Sequence, residues 1–183
     1  KDAEPILLVQ GIGEQLINWP EHLIDFLLEN NFRPIVYDNR DTGLSSRIPS
    51  DSFSDAKRDN TIVKNYIRYY LRLPIKSDYT LDDMAVDGVS VLDKLDISEA
   101  HILGVSMGGM IAQIIVSSHP ERTKTFTLIS STASTPSPFN GPTRKVRKLL
   151  MNRTKNPNST VDERVARSRK IFTEIGYQGI DLN

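Results

Sequence analysis

Ala100-His101-Ile102-Leu103-Gly104-Val105-Ser106-Met107-Gly108-Gly109-Met110-Ile111 decides how this chain folds. An apolar run ends in Gly-x-Ser-x-Gly. Met107, Met110, Ile111, Ile114 and Ile115 then recur at helical spacing. The pattern predicts a buried strand over 100–105, a sharp turn at Ser106 and a helix over 107–118. A serine in such a turn takes a strained backbone and lifts its hydroxyl above the sheet edge. The positions two before and two after crowd the turn, so Gly104 and Gly108 fit there without clash. The helix aims its first N–H groups at the spot where an oxyanion would form. Ser106 is therefore the candidate nucleophile.

The same alternation extends outward. Pro5-Ile6-Leu7-Leu8-Val9-Gln10 is a continuous apolar run that stops at Gly11-Ile12-Gly13, as expected of a strand buried on both faces. Pro20 to Asn30 reads as a helix with Pro20 in its first turn, and Phe32 to Asp38 as a second strand. Thr80-Leu81-Asp82-Asp83 opens another helix, with a Thr cap and acids in the first turn. Thr123 to Ser130 is a fourth strand. Between them, Ser50–Asn60 is a polar loop and Thr61–Leu73 has helical character. Strand and helix alternating at this spacing predict an α/β fold: a mostly parallel sheet covered by helices on both faces.

Composition narrows the function. The 183 residues suffice for one domain or slightly more, and 38% are hydrophobic, enough for a core. Lys plus Arg is 23 and Asp plus Glu is 23, which argues against a globally basic nucleic-acid binder. The absence of cysteine excludes disulfides, thiolate nucleophiles and Cys-based zinc sites. No apolar run approaches the roughly 20 residues of a membrane span. No basic stretch followed by an apolar one opens the chain, so the expected location is cytoplasmic, without membrane association. The zero net charge hides an asymmetry. Residues 1–135 hold 13 basic and 19 acidic side chains, and residues 136–183 hold 10 and 4. The break falls in Ser134-Thr135-Pro136-Ser137-Pro138-Phe139-Asn140-Gly141-Pro142, rich in turn formers. The expected division is a core over 1–135 and a basic helical appendage over 136–183. Helices are expected in the appendage near Arg144–Met151 and after the capping box Thr160-Val161-Asp162-Glu163.

An oxyanion needs a second N–H donor opposite the elbow. The Gln10-Gly11-Ile12-Gly13 turn is the natural source, with the amides of Ile12 and Met107 as the pair and Gly11 making the tight exit. Three stretches then carry a family resemblance: Leu7–Gly13, Asp38-Asn39-Arg40-Asp41-Thr42-Gly43-Leu44-Ser45, and the blocks Tyr79–Met84, Gly104–Gly109 and His119-Pro120-Glu121-Arg122. Together they resemble the α/β-hydrolase fold, in its esterase and proline-iminopeptidase-like branch. The Asn-Arg-Asp-x-Gly-Leu-Ser wording is similar to the aclacinomycin methylesterase subgroup. The match covers about residues 5–135. Two positions depart from it: many relatives have His where Gln10 stands and Gly where Asp41 stands. The resemblance implies a serine hydrolase acting on a small-molecule ester, with no metal and no cofactor. It also implies that residues 136–183 begin a helical cap.

The serine still needs a base and an orienting acid. The three histidines are His22, His101 and His119. His22 opens the first helix and His101 opens the strand before the elbow. His119 ends the following helix, about 18 Å along it from Ser106 at 1.5 Å per residue. No acid is persuasive either: Asp162 and Asp181 lie in the appendage. In the family, acid and His follow later strands, so the chain reads as an internal portion of a longer hydrolase whose triad is completed elsewhere. Two other readings keep the fold: a small-ligand binding protein without chemistry, and an aminopeptidase or acyltransferase.

Lesser motifs do not redirect this. Ser54-Asp55-Ala56-Lys57 fits S-x-x-K but lies in a polar loop without the partner motifs. Asn152-Arg153-Thr154 and Asn158-Ser159-Thr160 match glycosylation sequons by chance. Tyr66-Ile67-Arg68-Tyr69-Tyr70 reads as an amphipathic packing segment rather than a base-stacking patch. There is no phosphate-binding loop, and Gly104 to Gly109 has the wrong spacing for a dinucleotide fingerprint.

Overall fold

The computed structural model describes residues 3–48, 64, 65, 67, 68, 71, 73, 77–132, 143–146, 148, 160, 162, 163, 166, 169, 170, 173 and 174. The chain forms two compact units, residues 1–135 and 136–183.

The first unit is built on four parallel strands: β1 (Glu4–Val9), β2 (Phe32–Val36), β3 (Ala100–Val105) and β4 (Thr123–Ile129). Their order across the sheet is β2-β1-β3-β4. Among the described residues the helices α1 (Glu21–Glu29), α2 (Leu81–Lys94) and α3 (Met107–Ser118) lie between them. β1 is central and reads as a run of apolar residues because both its faces are covered. Its side chains alternate between two cores. Ile6 and Leu8 join Trp19, Leu27 and Leu103 in one cluster. Leu7 and Val9 join Ile35, Met84, Leu92, Ile102, Ile111 and Ile115 in the other, against α2 and α3. Leu7, Leu8 and Val9 are wholly buried. Such burial contributes roughly 1.5–3 kcal/mol for each side chain.

The crossovers put every strand's C-terminal end on the same edge, so the segments after β1, β2 and β3 converge there. The loop after β2 is held by one carboxylate. Asp38 accepts from the Leu16 N–H at 2.7 Å and from the Leu44 N–H at 3.0 Å. Arg40 then ties this loop to α2, donating Nε to Asp87 Oδ2 at 2.6 Å and Nη2 to Asp87 Oδ1 at 2.7 Å. It also lies 5.3 Å from the centre of the Tyr79 ring. The paired carboxylate raises the Arg40 pKa.

Three details differ from the sequence reading. Pro20 is the N-cap of α1, with ψ 128°, so the helix begins one residue later. β2 ends at Val36 rather than Asp38, because Asp38 turns its carboxylate to the loop amides. The sheet is flanked by helices as expected, with α3 packed on β4, but β4 is less covered than the other strands. Residues 124–129 are exposed, Phe126, Leu128 and Ile129 among them, and among the described residues β4 also pairs on one side only.

In the region read as a helix over Thr61–Leu73, residues 64, 65, 67 and 68 are helical. The Ser50–Asn60 loop, the S-x-x-K match and the tyrosines at 66, 69 and 70 lie outside the described residues, as do the sequon asparagines and Asp181. In the second unit residues 144–146 and 148 are helical, as are 162, 163, 166, 169, 170, 173 and 174. Its capping box is formed: Glu163 N–H donates to Thr160 Oγ1 at 3.3 Å, and Thr160 N–H donates to Glu163 Oε2 at 3.0 Å. Among the described residues no helix is long and apolar enough to cross a membrane.

Candidate active site

β3 runs buried to Gly104, and the chain reverses at Ser106 with φ 55° and ψ −119°. That backbone is sparsely populated for a residue with a side chain and costs of order 1–3 kcal/mol. Two contacts hold it. Ser106 N–H donates to the Ile129 carbonyl at 2.9 Å, and Gly109 N–H donates to the Ser106 carbonyl at 3.0 Å. Ser106 itself is exposed.

The glycines on either side are required by close backbone approach. A Cβ at Gly104 would lie 2.4 Å from the Gly108 carbonyl oxygen. A Cβ at Gly108 would lie 2.1 Å from the Val9 oxygen and 2.6 Å from the Gln10 oxygen. The first turn of α3 is thus pressed against the end of β1. The same packing brings the Gly11 turn beside the serine: a Cβ on Gly11 would sit 3.3 Å from Ser106 Cβ and 3.8 Å from its Oγ. Gly11 C=O accepts from Glu14 N–H at 3.3 Å and closes the turn. In a trans peptide the N–H of Ile12 points opposite to that carbonyl, away from the turn interior. Among the described residues neither the Ile12 nor the Met107 amide meets an acceptor in a turn or loop.

Behind this turn lies a set of polar residues to which the sequence alone assigns no role. Gln10, Asp38 and Asn39 are the buried polar side chains among the described residues, and all three follow the C-terminal ends of β1 and β2. Asn39 Nδ2 donates to the Gln10 carbonyl at 3.2 Å, and its Oδ1 is buried without a partner. The contact spans 29 positions, so no local pattern announces it.

None of the three histidines is placed to serve Ser106. His101 Nδ1 pairs with Thr125 Oγ1 at 2.7 Å, and its ring meets Phe32 edge-on at 5.3 Å. It lies at the opposite end of β3, about 16 Å from the elbow at 3.3 Å per residue. His119 caps α3 and lies 3.7 Å from Glu121. His22 is exposed in the first turn of α1 and makes no hydrogen bond among the described residues. Asp162 belongs to the second unit. Among the described residues no group of three or more His, Asp or Glu side chains is arranged to hold a metal ion.

Residues 4–173 match the family model for the alpha/beta hydrolase fold. The rhodomycin D methylesterase DauP of Streptomyces sp. (strain C5) is 30% identical over 125 residues, 68% of this chain and 34% of its own. The putative carbamate hydrolase RutD of Pseudomonas syringae is 26% identical over 150 residues, 82% of this chain and 47% of its own. The chain therefore spans between a third and a half of the length of these curated relatives. Among solved structures, a marine microorganism esterase superposes with a TM-score of 0.63 at 18% identity, covering 93% of this chain and 55% of its own. The bromoperoxidase-like BpoC of Mycobacterium tuberculosis superposes with a TM-score of 0.58 at 21% identity, covering 91% and 50%. With its parallel sheet, its strained serine and a family match along most of its length, this chain belongs to the α/β-hydrolase fold family.

Proposed function

We propose that this chain carries the nucleophile and oxyanion hole of a serine hydrolase that cleaves a carboxylic ester of a small molecule. One observation carries the reading: an exposed serine at φ 55° on the first turn of a helix, beside a glycine turn at the end of the central strand. Nothing in packing alone asks for a strained, exposed serine there. The 30% identity to a protein named as a methylesterase points to an ester as substrate.

In this reading Ser106 Oγ attacks the acyl carbon and gives its proton to a histidine outside this chain. The carbonyl π electrons move to oxygen, and the amides of Met107 and Ile12 hold the resulting oxyanion. The intermediate collapses and expels the alcohol, which takes the proton from the histidine. Water then attacks the acyl-serine by the same route and frees the acid. Residues from 136 onward are read as the beginning of a helical cap. Neither metal nor cofactor enters these steps.

The full-length protein should release p-nitrophenol from short-chain p-nitrophenyl esters. A fluorophosphonate probe should label Ser106, and Ser106→Ala should abolish both. A folded, pure protein that neither turns over nor takes the label would end this reading. Ligand-induced thermal stabilisation that survives Ser106→Ala, without turnover, would favour a binding protein instead. The putative carbamate hydrolases among the relatives suggest a second acyl class, so p-nitrophenyl carbamates belong in the same assay.

A further inference from the structure

The turn that offers the Ile12 amide is closed by one long hydrogen bond, from the Glu14 N–H to the Gly11 carbonyl at 3.3 Å. It begins at Gly11, which has no side chain to anchor it, and reaches Gly13 at φ 70°. Catalytic donors are effective only when their direction is fixed before the oxyanion forms. A second hold, on the peptide that leads into the turn, reinforces that single bond.

The Gln10 carbonyl is the point of attachment. It is the other end of the peptide whose N–H belongs to Gly11, so fixing its direction fixes the start of the turn. Two groups close on this oxygen. Asn39 Nδ2 donates to it at 3.2 Å. From another side stands the α-carbon of Gly108, where a Cβ would come within 2.6 Å of it. The oxygen is gripped between the loop after β2 and the first turn of the elbow helix. The two halves of the oxyanion hole, Ile12 on the turn and Met107 on the helix, are thus tied together through one carbonyl.

The chemistry of Asn39 suits this task more than a purely structural one. A carbonyl only accepts, so the amide nitrogen must face it. That leaves Oδ1 buried without a partner, which is unfavourable. An aliphatic residue of similar volume would fill the space without that cost but would leave the Gln10 carbonyl unheld.

We propose that Asn39 is a positioning residue for the oxyanion hole: its amide fixes the Gln10 carbonyl and so aims the Ile12 N–H at the reacting carbon's oxygen. This rests on the serine hydrolase reading above. The geometry reaches the reaction through the backbone, so Asn39 need not touch the substrate.

The test uses the full-length protein with Asn39→Leu, which keeps the volume, and Asn39→Ala, which leaves a small void. Three quantities are read: kcat and KM on p-nitrophenyl acetate, and the affinity for phenylboronic acid, whose tetrahedral serine adduct places an oxygen in the hole. For either variant kcat should fall about 10- to 100-fold, less than the loss of a whole donor. KM should change by less than about threefold, because ground-state binding does not use the fixed amide. Boronate affinity should fall by the same factor as kcat/KM. Wild-type kcat in a folded variant, or a loss carried by KM alone, would overturn the inference while leaving Ser106 as nucleophile. Failure of both variants to fold would also overturn it, since Asn39 would then be a core requirement. An inactive, unlabelled wild type would instead remove the hydrolase reading itself.

Discussion

At the scale of single residues the site is an arrangement of missing side chains. Gly108 lets α3 approach so closely that its α-carbon abuts the Val9 and Gln10 carbonyls. An added methyl there meets backbone oxygen on the central strand, which cannot swing aside as a flexible side chain could. Gly108→Ala should therefore lower stability by about 2–4 kcal/mol, at or above the upper range for overpacking. The midpoint of urea denaturation, read against wild type, measures this. A shift under about 0.5 kcal/mol would show that the contact relaxes and that the glycine serves another purpose. The two glycines and the serine were legible in the sequence because the turn's crowding is local. The contact of Asn39 was not legible, although the residue stands in a stretch that carries the family resemblance. Its partner is 29 positions away, and an Asn in a polar loop has no pattern that distinguishes a clamp from a solvated turn.

Among the elements, those that face the core on both sides were readable nearly to the residue. β3 and α3 fall where an unbroken apolar run gives way to a period near four, and their bounds coincide with the expected ones. β2 was read two residues too long, because Asp38 turns its carboxylate to the loop while Tyr37 still packs against the core and so prolongs the apolar pattern past the last strand residue. α2 shows why its start was clear. Thr80 Oγ1 accepts from Asp83 N–H at 3.2 Å, and Asp83 Oδ2 accepts from Thr80 N–H at 2.7 Å and from its hydroxyl at 2.8 Å. The hydrogen bonds from Thr80, backbone first, hold the Asp83 carboxyl below its usual pKa. A carboxylate with a depressed folded pKa stabilises above its unfolded value and loses that contribution as pH falls through the folded one. Thr80→Ala should cost about 1 kcal/mol at neutral pH. The gap between variant and wild type should narrow as pH drops below the ordinary Asp value of 3.8. Thermal denaturation of both proteins from pH 7 downward reads this directly. A gap that stays constant into acid would mean that the hydroxyl acts without its carboxylate.

For the molecule as a whole, the sheet is unevenly finished. Among the described residues β1 and β3 are flanked on both sides, whereas β4 has no strand on its outer edge and carries half-exposed apolar side chains, with Phe126 at 37%, Leu128 at 36% and Ile129 at 42% exposure. An open, apolar strand edge is a template for another strand. Charge does little to guard it: along β4 only Lys124 is charged, and it is engaged with Glu4 and Glu99. The 183-residue polypeptide expressed alone should therefore self-associate. Size-exclusion chromatography with light scattering should show mass rising with concentration, and dye binding should report exposed apolar surface. Phe126→Lys, which places a charge on the strand beside its Ile102 pairing position, should shift that equilibrium toward monomer. The same variant in the full-length protein is the control. If β4 is covered there, the substitution should instead destabilise by burying a charge, so the sign of its effect reverses between the two proteins. A polypeptide that stays monomeric at high concentration would show that the β4 edge is protected in solution, and that another segment lies against it.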